Sequence, residues 1–83
     1  MIETTLNKIV EGEKVIIKRI ELSENSRKRL EEMGVCEDSE VEYMYTSPFN
    51  SPTVYRVNDT LLAIREIDAM KIIVMGGAEL NEQ

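Results

Sequence analysis

The spacing of apolar residues along this chain changes period several times, and each change marks a predicted element. The run from Lys14 to Ile20 is β-branched and half charged, with Val15 and Ile17 on one side and Ile16 and Ile20 on the other. It predicts a first strand with two buried faces, from which Lys18 and Arg19 reach outward on their apolar stems. From Leu22 to Gly34 the period becomes helical. Ser23 or Asn25 serves as N-cap, Leu30 and Met33 lie three apart on one face, and Gly34 supplies a left-handed stop. Strict alternation returns with Val41, Tyr43 and Tyr45 set against Glu40, Glu42 and Met44, the mark of a half-buried second strand. Pro48 and Pro52 then bracket a stiff loop, because each fixes φ and removes a backbone donor. A third strand follows from Thr53 to Val57, then an Asn58-Asp59 hairpin turn suited to positive φ, and a fourth strand from Leu61 to Ile64. The stretch from Arg65 to Met70 is long enough for one helical turn, often 3₁₀ in such places, before a last strand from Lys71 to Met75. Ahead of the first strand, Thr4 or Thr5 caps a short helical turn carrying Leu6, Ile9 and Val10, which Gly12 ends.

Short strands with one inserted helix and no parallel crossover are most economically closed on themselves, since closure removes exposed edges. The expected fold is therefore mainly β with short helices: a small SH3-like barrel of about five antiparallel strands. Residues 1–75 are expected to form the single domain, and 76–83 a polar, frayed C-terminal tail. A domain of this size buries only roughly 60–65% of its unfolded surface. With one Phe and no Trp, the core must be built from Ile, Val, Leu and Met.

Charge narrows the range of partners. The chain carries 10 basic and 16 acidic residues, a net charge of −6, whereas phosphate-driven nucleic-acid binding needs a net basic face. No nucleic acid is expected, although the cluster Lys18, Arg19, Arg27, Lys28 and Arg29 keeps a small-barrel RNA-binding protein among the alternatives. The acidity also argues against docking on anionic lipid. No apolar run approaches the length of a membrane span, and the first ten residues lack the features of an export signal, so a cytoplasmic protein without membrane insertion is expected. Cys36 is the single cysteine, so no intrachain disulfide forms, which fits a reducing compartment.

The chemistry-bearing residues point away from catalysis. The chain has no His, which removes the commonest general base, the commonest metal ligand and the Ser or Cys triad together. Carboxylates are plentiful, as at Glu37-Asp38 or Asp59 and Glu66, but a small barrel offers no deep cleft to shift their pKa values. No phosphate-cradling glycine motif is present. The expectation is a non-enzyme that requires no cofactor. Cys36 beside Glu37 and Asp38 is the one candidate for weak binding of Fe2+ or another divalent metal, set against its commoner role as a small packing residue. Phe49, between Pro48 and Pro52, either plugs one barrel end or anchors a partner.

Several segments together resemble the ferrous iron transport protein A (FeoA) family. They are Leu6 with Gly12 and the Ile17/Ile20 strand; Arg29-Leu30-Glu31-Glu32-Met33-Gly34-Val35; Ser47-Pro48-Phe49-Asn50-Ser51-Pro52; and Leu62-Ala63-Ile64-Arg65-Glu66-Ile67-Asp68-Ala69 with Ile72-Ile73-Val74. The resemblance runs from Leu6 to Val74. The chain departs from the family pattern at Asp38-Ser39, where Pro-Gly is common, and at Asn50-Ser51-Pro52, in place of Gly-Asp-Pro. Both are turn positions that Asn and Ser tolerate. The resemblance implies an SH3-like, non-enzymatic accessory protein of ferrous iron uptake that binds the cytosolic part of the FeoB membrane transporter and G protein and modulates it. It equally covers regulatory modules like the C-terminal SH3-like domain of iron-dependent repressors. Self-association stays open. SH3-like barrels recognise extended segments on aromatic-lined grooves, so among Tyr43, Tyr45, Tyr55 and Phe49 the partner-binding residues expected are Phe49 and Tyr55, flanked by Pro48 and Pro52. Leu30, Met33, Gly34, Arg65 and Ala69 are the expected structural framework, with Gly34 for left-handed backbone, Ala69 for close packing and Arg65 for bonding a carbonyl or carboxylate at a barrel seam.

Overall fold

The computed structural model describes residues 3–46 and 52–76. Its centre is one antiparallel sheet of six strands: β1 (Glu3–Thr5), β2 (Lys14–Ile20), β3 (Glu40–Thr46), β4 (Thr53–Val57), β5 (Thr60–Ile64) and β6 (Ile72–Met75), in the order β1-β6-β2-β3-β4-β5. The sequence suggests about five strands. The sixth is β1, three residues without a buried side chain, whose pattern is too short to register as a strand and which forms by pairing Glu3, Thr4 and Thr5 with Met75, Val74 and Ile73. A 3₁₀ turn, Leu6–Lys8, follows it with Thr5 as N-cap but no side-chain capping bond. Leu6 and Ile9 are buried as expected of that turn, whereas Val10 faces solvent.

Helix α1 (Glu24–Glu32) starts at Ser23, whose Oγ accepts the Ser26 N–H at 3.4 Å. It ends where Gly34 adopts φ +95°, a value that any Cβ would oppose. Leu30 is buried at the core, but Met33 sits one step past the helix as its C-cap and is 42% exposed, so the expected Leu30/Met33 face reduces to Leu30. Helix α2 (Glu66–Ala69) is a single α-helical turn, and its Ala69 packs in the core. The hairpin joining β4 to β5 turns on Asn58 and Asp59, with φ of 52° and 67°.

Two register shifts control which side chains point inward. In β2 the pairing with β6 slips between Ile17 and Arg19, so Val15, Ile17 and Ile20 are all buried although Ile17 and Ile20 are three apart. In β3 the pairing with β4 slips between Tyr43 and Tyr45; Val41 is buried and Tyr43 half-buried, but Tyr45 is turned outward to 49% exposure. The core gathers Val15, Ile17, Val41, Tyr55, Val57, Ile64, Ile72 and Val74 from the sheet, joined by Leu6, Ile9, Ile20, Leu30, Val35 and Ala69.

Tyr55 is the largest side chain fully inside. Its ring meets that of Tyr43 edge to face, with centroids 5.6 Å apart and planes at 71°, and its hydroxyl donates to the Leu6 carbonyl at 3.5 Å. Burial, with a smaller contribution from Tyr43, pushes its pKa up to about 12. Because the folded value lies above the free phenol's, Tyr55 costs nothing below about pH 10, and the folded state loses stability as pH climbs from 10 through 12, by on the order of a few kcal/mol at most. Urea unfolding followed between pH 9 and 12 is expected to show that decline, and Tyr55→Phe to remove this part of it; an identical pH profile in the variant would refute the assignment. Leu30→Ala is expected to cost about 2–5 kcal/mol in the same assay and Met33→Ala at most about half a kcal/mol, the contrast between a core position and a helix end.

Candidate functional site

Strands β3 and β4, which flank the proline-bracketed segment of the sequence, pair up to Thr46 and Thr53. Pro48 and Phe49 lie outside the described residues; Pro52 is half-buried where the chain enters β4. At the tops of these strands the Thr46 and Thr53 hydroxyls lie 3.0 Å apart, and the Tyr43 hydroxyl bonds to that of Thr46. These hydroxyls, with Asn7, Ile9 and Glu66, line a cleft of about 230 Å³ between the sheet and α2. The cleft has hydrogen-bonding groups, one carboxylate and no cation, so it suits a peptide group and not a phosphate. Tyr55 closes its floor from inside. Only 1% of that residue is exposed, so its ring is a wall of the core and has no free face for a partner.

A second depression, of about 440 Å³, lies between α1 and the turn leading to β3, lined by Arg27, Glu31, Cys36, Glu37 and Asp38. Cys36 is half-buried there and committed to the turn: its Sγ lies 3.4 Å from Ser39 Oγ and 3.9 Å from the Gly34 carbonyl, while its N–H donates to Ser39 Oγ at 3.4 Å. Among the described residues no three Cys, Asp or Glu side chains converge as a closed metal site would require, Cys36, Glu37 and Asp38 included. The same turn is anchored from a distance. Gly34 O accepts from Ser39 Oγ at 3.2 Å and from Asn58 Nδ2 at 3.1 Å, the latter reaching over from the β4–β5 hairpin.

The remaining framework positions behave unequally. Ala69 is buried, whereas Arg65 is 73% exposed and meets a carboxylate on its own helix, Asp68 at 3.6 Å, instead of one across a seam. The basic cluster is partly neutralised: Arg19 faces Glu3 at 3.6 Å and Glu21 at 3.2 Å, and Arg27 faces Glu31 at 3.8 Å. The hydrogen bond to Glu21, followed by the charge of Glu3, raises the Arg19 pKa. Such pairs leave little net positive field for an RNA backbone. Sequence reasoning named Tyr45 among the aromatic candidates without choosing it and did not single out Leu61, Ile67 or Met70; all four are about half or more exposed. The bulge hides Tyr45 from a simple alternation, and the unbroken run Leu61-Leu62-Ala63-Ile64 has no polar residue to mark its outer face. For Ile67 and Met70 a signal existed, their spacing of three on a helix too short to bury both faces.

No helix among the described residues is long and apolar enough to cross a membrane. No curated protein matches the chain significantly. Solved structures do. An iron uptake regulatory protein, FeoA, superposes with a TM-score of 0.78 at 21% identity, covering 90% of this chain and 97% of that one. FeoA of Stenotrophomonas maltophilia, solved with zinc and described as a prokaryotic SH3 domain protein, gives 0.73 at 21% identity, covering 87% of this chain and 89% of that one. A manganese-dependent transcriptional repressor gives 0.76 at 16% identity; 89% of this chain matches 41% of the repressor. At these identities the likeness is one of fold, and it makes the curled six-stranded sheet SH3-like. The family model of the FeoA domain matches residues 4–75, from β1 to the end of β6, and on that match the chain belongs to the FeoA family.

Proposed function

We propose that this chain is a non-enzymatic accessory protein of ferrous iron uptake, acting on the cytoplasmic side by binding the cytosolic part of a FeoB-type membrane transporter and modulating it. The observation that carries the reading is the FeoA-domain match over residues 4–75. The chemistry of the surface agrees with it: a hydroxyl-lined cleft and exposed Tyr45, Leu61, Ile67 and Met70 suit contact with a protein better than turnover of a small substrate. Phe49, with Pro48 and Pro52, is the proposed partner-binding group; Tyr55, buried, contributes by closing the floor of the cleft.

A second reading, favoured by the fold shared with a manganese-dependent repressor, is a regulatory module of a metal-responsive transcription factor. The net charge of −6 and the carboxylate-paired arginines make direct contact with nucleic acid by this domain unfavourable in either case.

Titration of the chain with the cytosolic part of a FeoB-type transporter, with and without guanine nucleotide, is expected to give saturable binding in the micromolar range, weakened by Phe49→Ala. Absence of binding at tens of micromolar in every nucleotide state would overturn the reading. No resident cofactor is assigned. Divalent-metal binding is expected to be weak, because few donors converge around Cys36, and Fe2+ or Zn2+ titration is expected to lose its signal in Cys36→Ser; an unchanged isotherm would remove Cys36 from any such role.

A further inference from the structure

Strand β5 is the edge of the sheet, paired with β4 and with no other strand among the described residues. Edge strands in soluble proteins are normally shortened, bulged, or armed with a charge or Pro, because their free N–H and C=O groups invite pairing. The other edge follows that rule: β1 has three residues and carries Glu3, which is engaged by Arg19. β5 does not. Its five residues, Thr60-Leu61-Leu62-Ala63-Ile64, contain no charge and no Pro, and its pairing with β4 runs without a register shift.

One row of the outer face beside this edge is also apolar. Tyr45, Val54 and Ala63 form one cross-strand row and Arg56 and Leu61 sit in the next, all on the side away from the core. Tyr45 and Leu61 are 49% and 54% exposed, and Ala63 is exposed between them and the edge. Single exposed apolar residues need no explanation, but an apolar row that ends at an undefended edge does.

Charge identifies the occupant. Exposed Asp59 and Glu66 stand at the two ends of β5. The two neighbouring arginines already face carboxylates, Arg56 meeting Glu42 at 3.8 Å and Arg65 meeting Asp68 at 3.6 Å. A second copy would bring another net charge of −6 to the contact, and net charge of this kind opposes self-association. We propose that the outer edge of β5 accepts an extended segment of a partner protein as a seventh strand, one with an alternating apolar centre and basic residues at its ends. Main-chain hydrogen bonds to the edge supply the affinity, and alternate side chains lying beside Leu61 and Ala63 supply the selectivity. This surface is defined by chemistry and holds whichever protein donates the strand, so it stands apart from the transporter reading.

The test is titration of the isotopically labelled protein with a short synthetic peptide that has an alternating Val/Thr centre and paired lysines at each end. Chemical-shift changes are expected at Thr60–Ile64 and their β4 partners, with slowed hydrogen exchange of the outward amides of β5. Leu61→Lys and Ala63→Lys, both at exposed positions and so expected to fold, should each weaken binding by about tenfold or more, which is about 1.4 kcal/mol. The same peptide with glutamates at its ends should bind at least about tenfold more weakly, by a margin that shrinks as salt is raised. Shifts centred on the Asn7–Tyr43 cleft, or none at millimolar peptide, would overturn the proposal. A concentration-dependent dimer of the free protein would give the edge to a second copy instead, and outward amides already protected in the free monomer would give it to the chain's own residues 77–83; either result refutes a basic partner strand.

Discussion

The two slips in strand register, between Ile17 and Arg19 and between Tyr43 and Tyr45, are the constraint on which the remaining structure depends. A strand presents alternate residues to alternate faces, so one extra residue reverses the facing of everything beyond it. In β2 the slip brings Ile20 inward and leaves Lys18 and Arg19 in solvent, which places Arg19 between Glu3 and Glu21. In β3 it sends Tyr45 outward while Tyr43 stays against Tyr55. Bulges also sharpen strand twist, and a six-stranded sheet of such short strands needs that twist to wrap a core containing one aromatic ring.

Among the described residues the sheet curls without joining its ends by hydrogen bonds, since β1 and β5 stand at opposite ends of the strand order. Side chains close the gap. Leu6 and Ile9 from the 3₁₀ turn and its exit, and Ala69 from α2, fill the end of the barrel above Tyr55, and the Tyr55 hydroxyl takes the Leu6 carbonyl as its partner. The small volume of Ala69 brings α2 close, and the hydroxyl-lined cleft is the residual space between that helix and the strand tops. The geometry of the candidate site thus follows from how the barrel is stoppered.

Most of the fold was legible in the sequence because its signals were local. The β-branched run at Lys14, the Ser23 cap, the Gly34 stop and the Asn58-Asp59 turn each depend on residues within one element, and each appears where those residues placed it. What escaped depends on partners distant in sequence. β1 exists only by virtue of β6, and the outward turn of Tyr45 is decided by its pairing with Val54. Met33 illustrates a finer limit: helical spacing from Leu30 is real, but the helix ends at Glu32, and a residue past the end no longer shares the face. For the site, the absence of His turned attention from catalysis to surface, yet Tyr55 has the composition of a binding residue and the burial of a structural one.

The bond from Asn58 to the Gly34 carbonyl joins positions 24 residues apart, and it ties the tip of the β4–β5 hairpin to the turn that holds Cys36. Gly34 leaves room for it, since a Cβ there would lie 3.2 Å from Asn58 Nδ2. The hairpin is thereby tied at its tip, where β5 begins, to the turn that follows α1. Whatever rests against that end of β5 lies one amide away from the end of the helix.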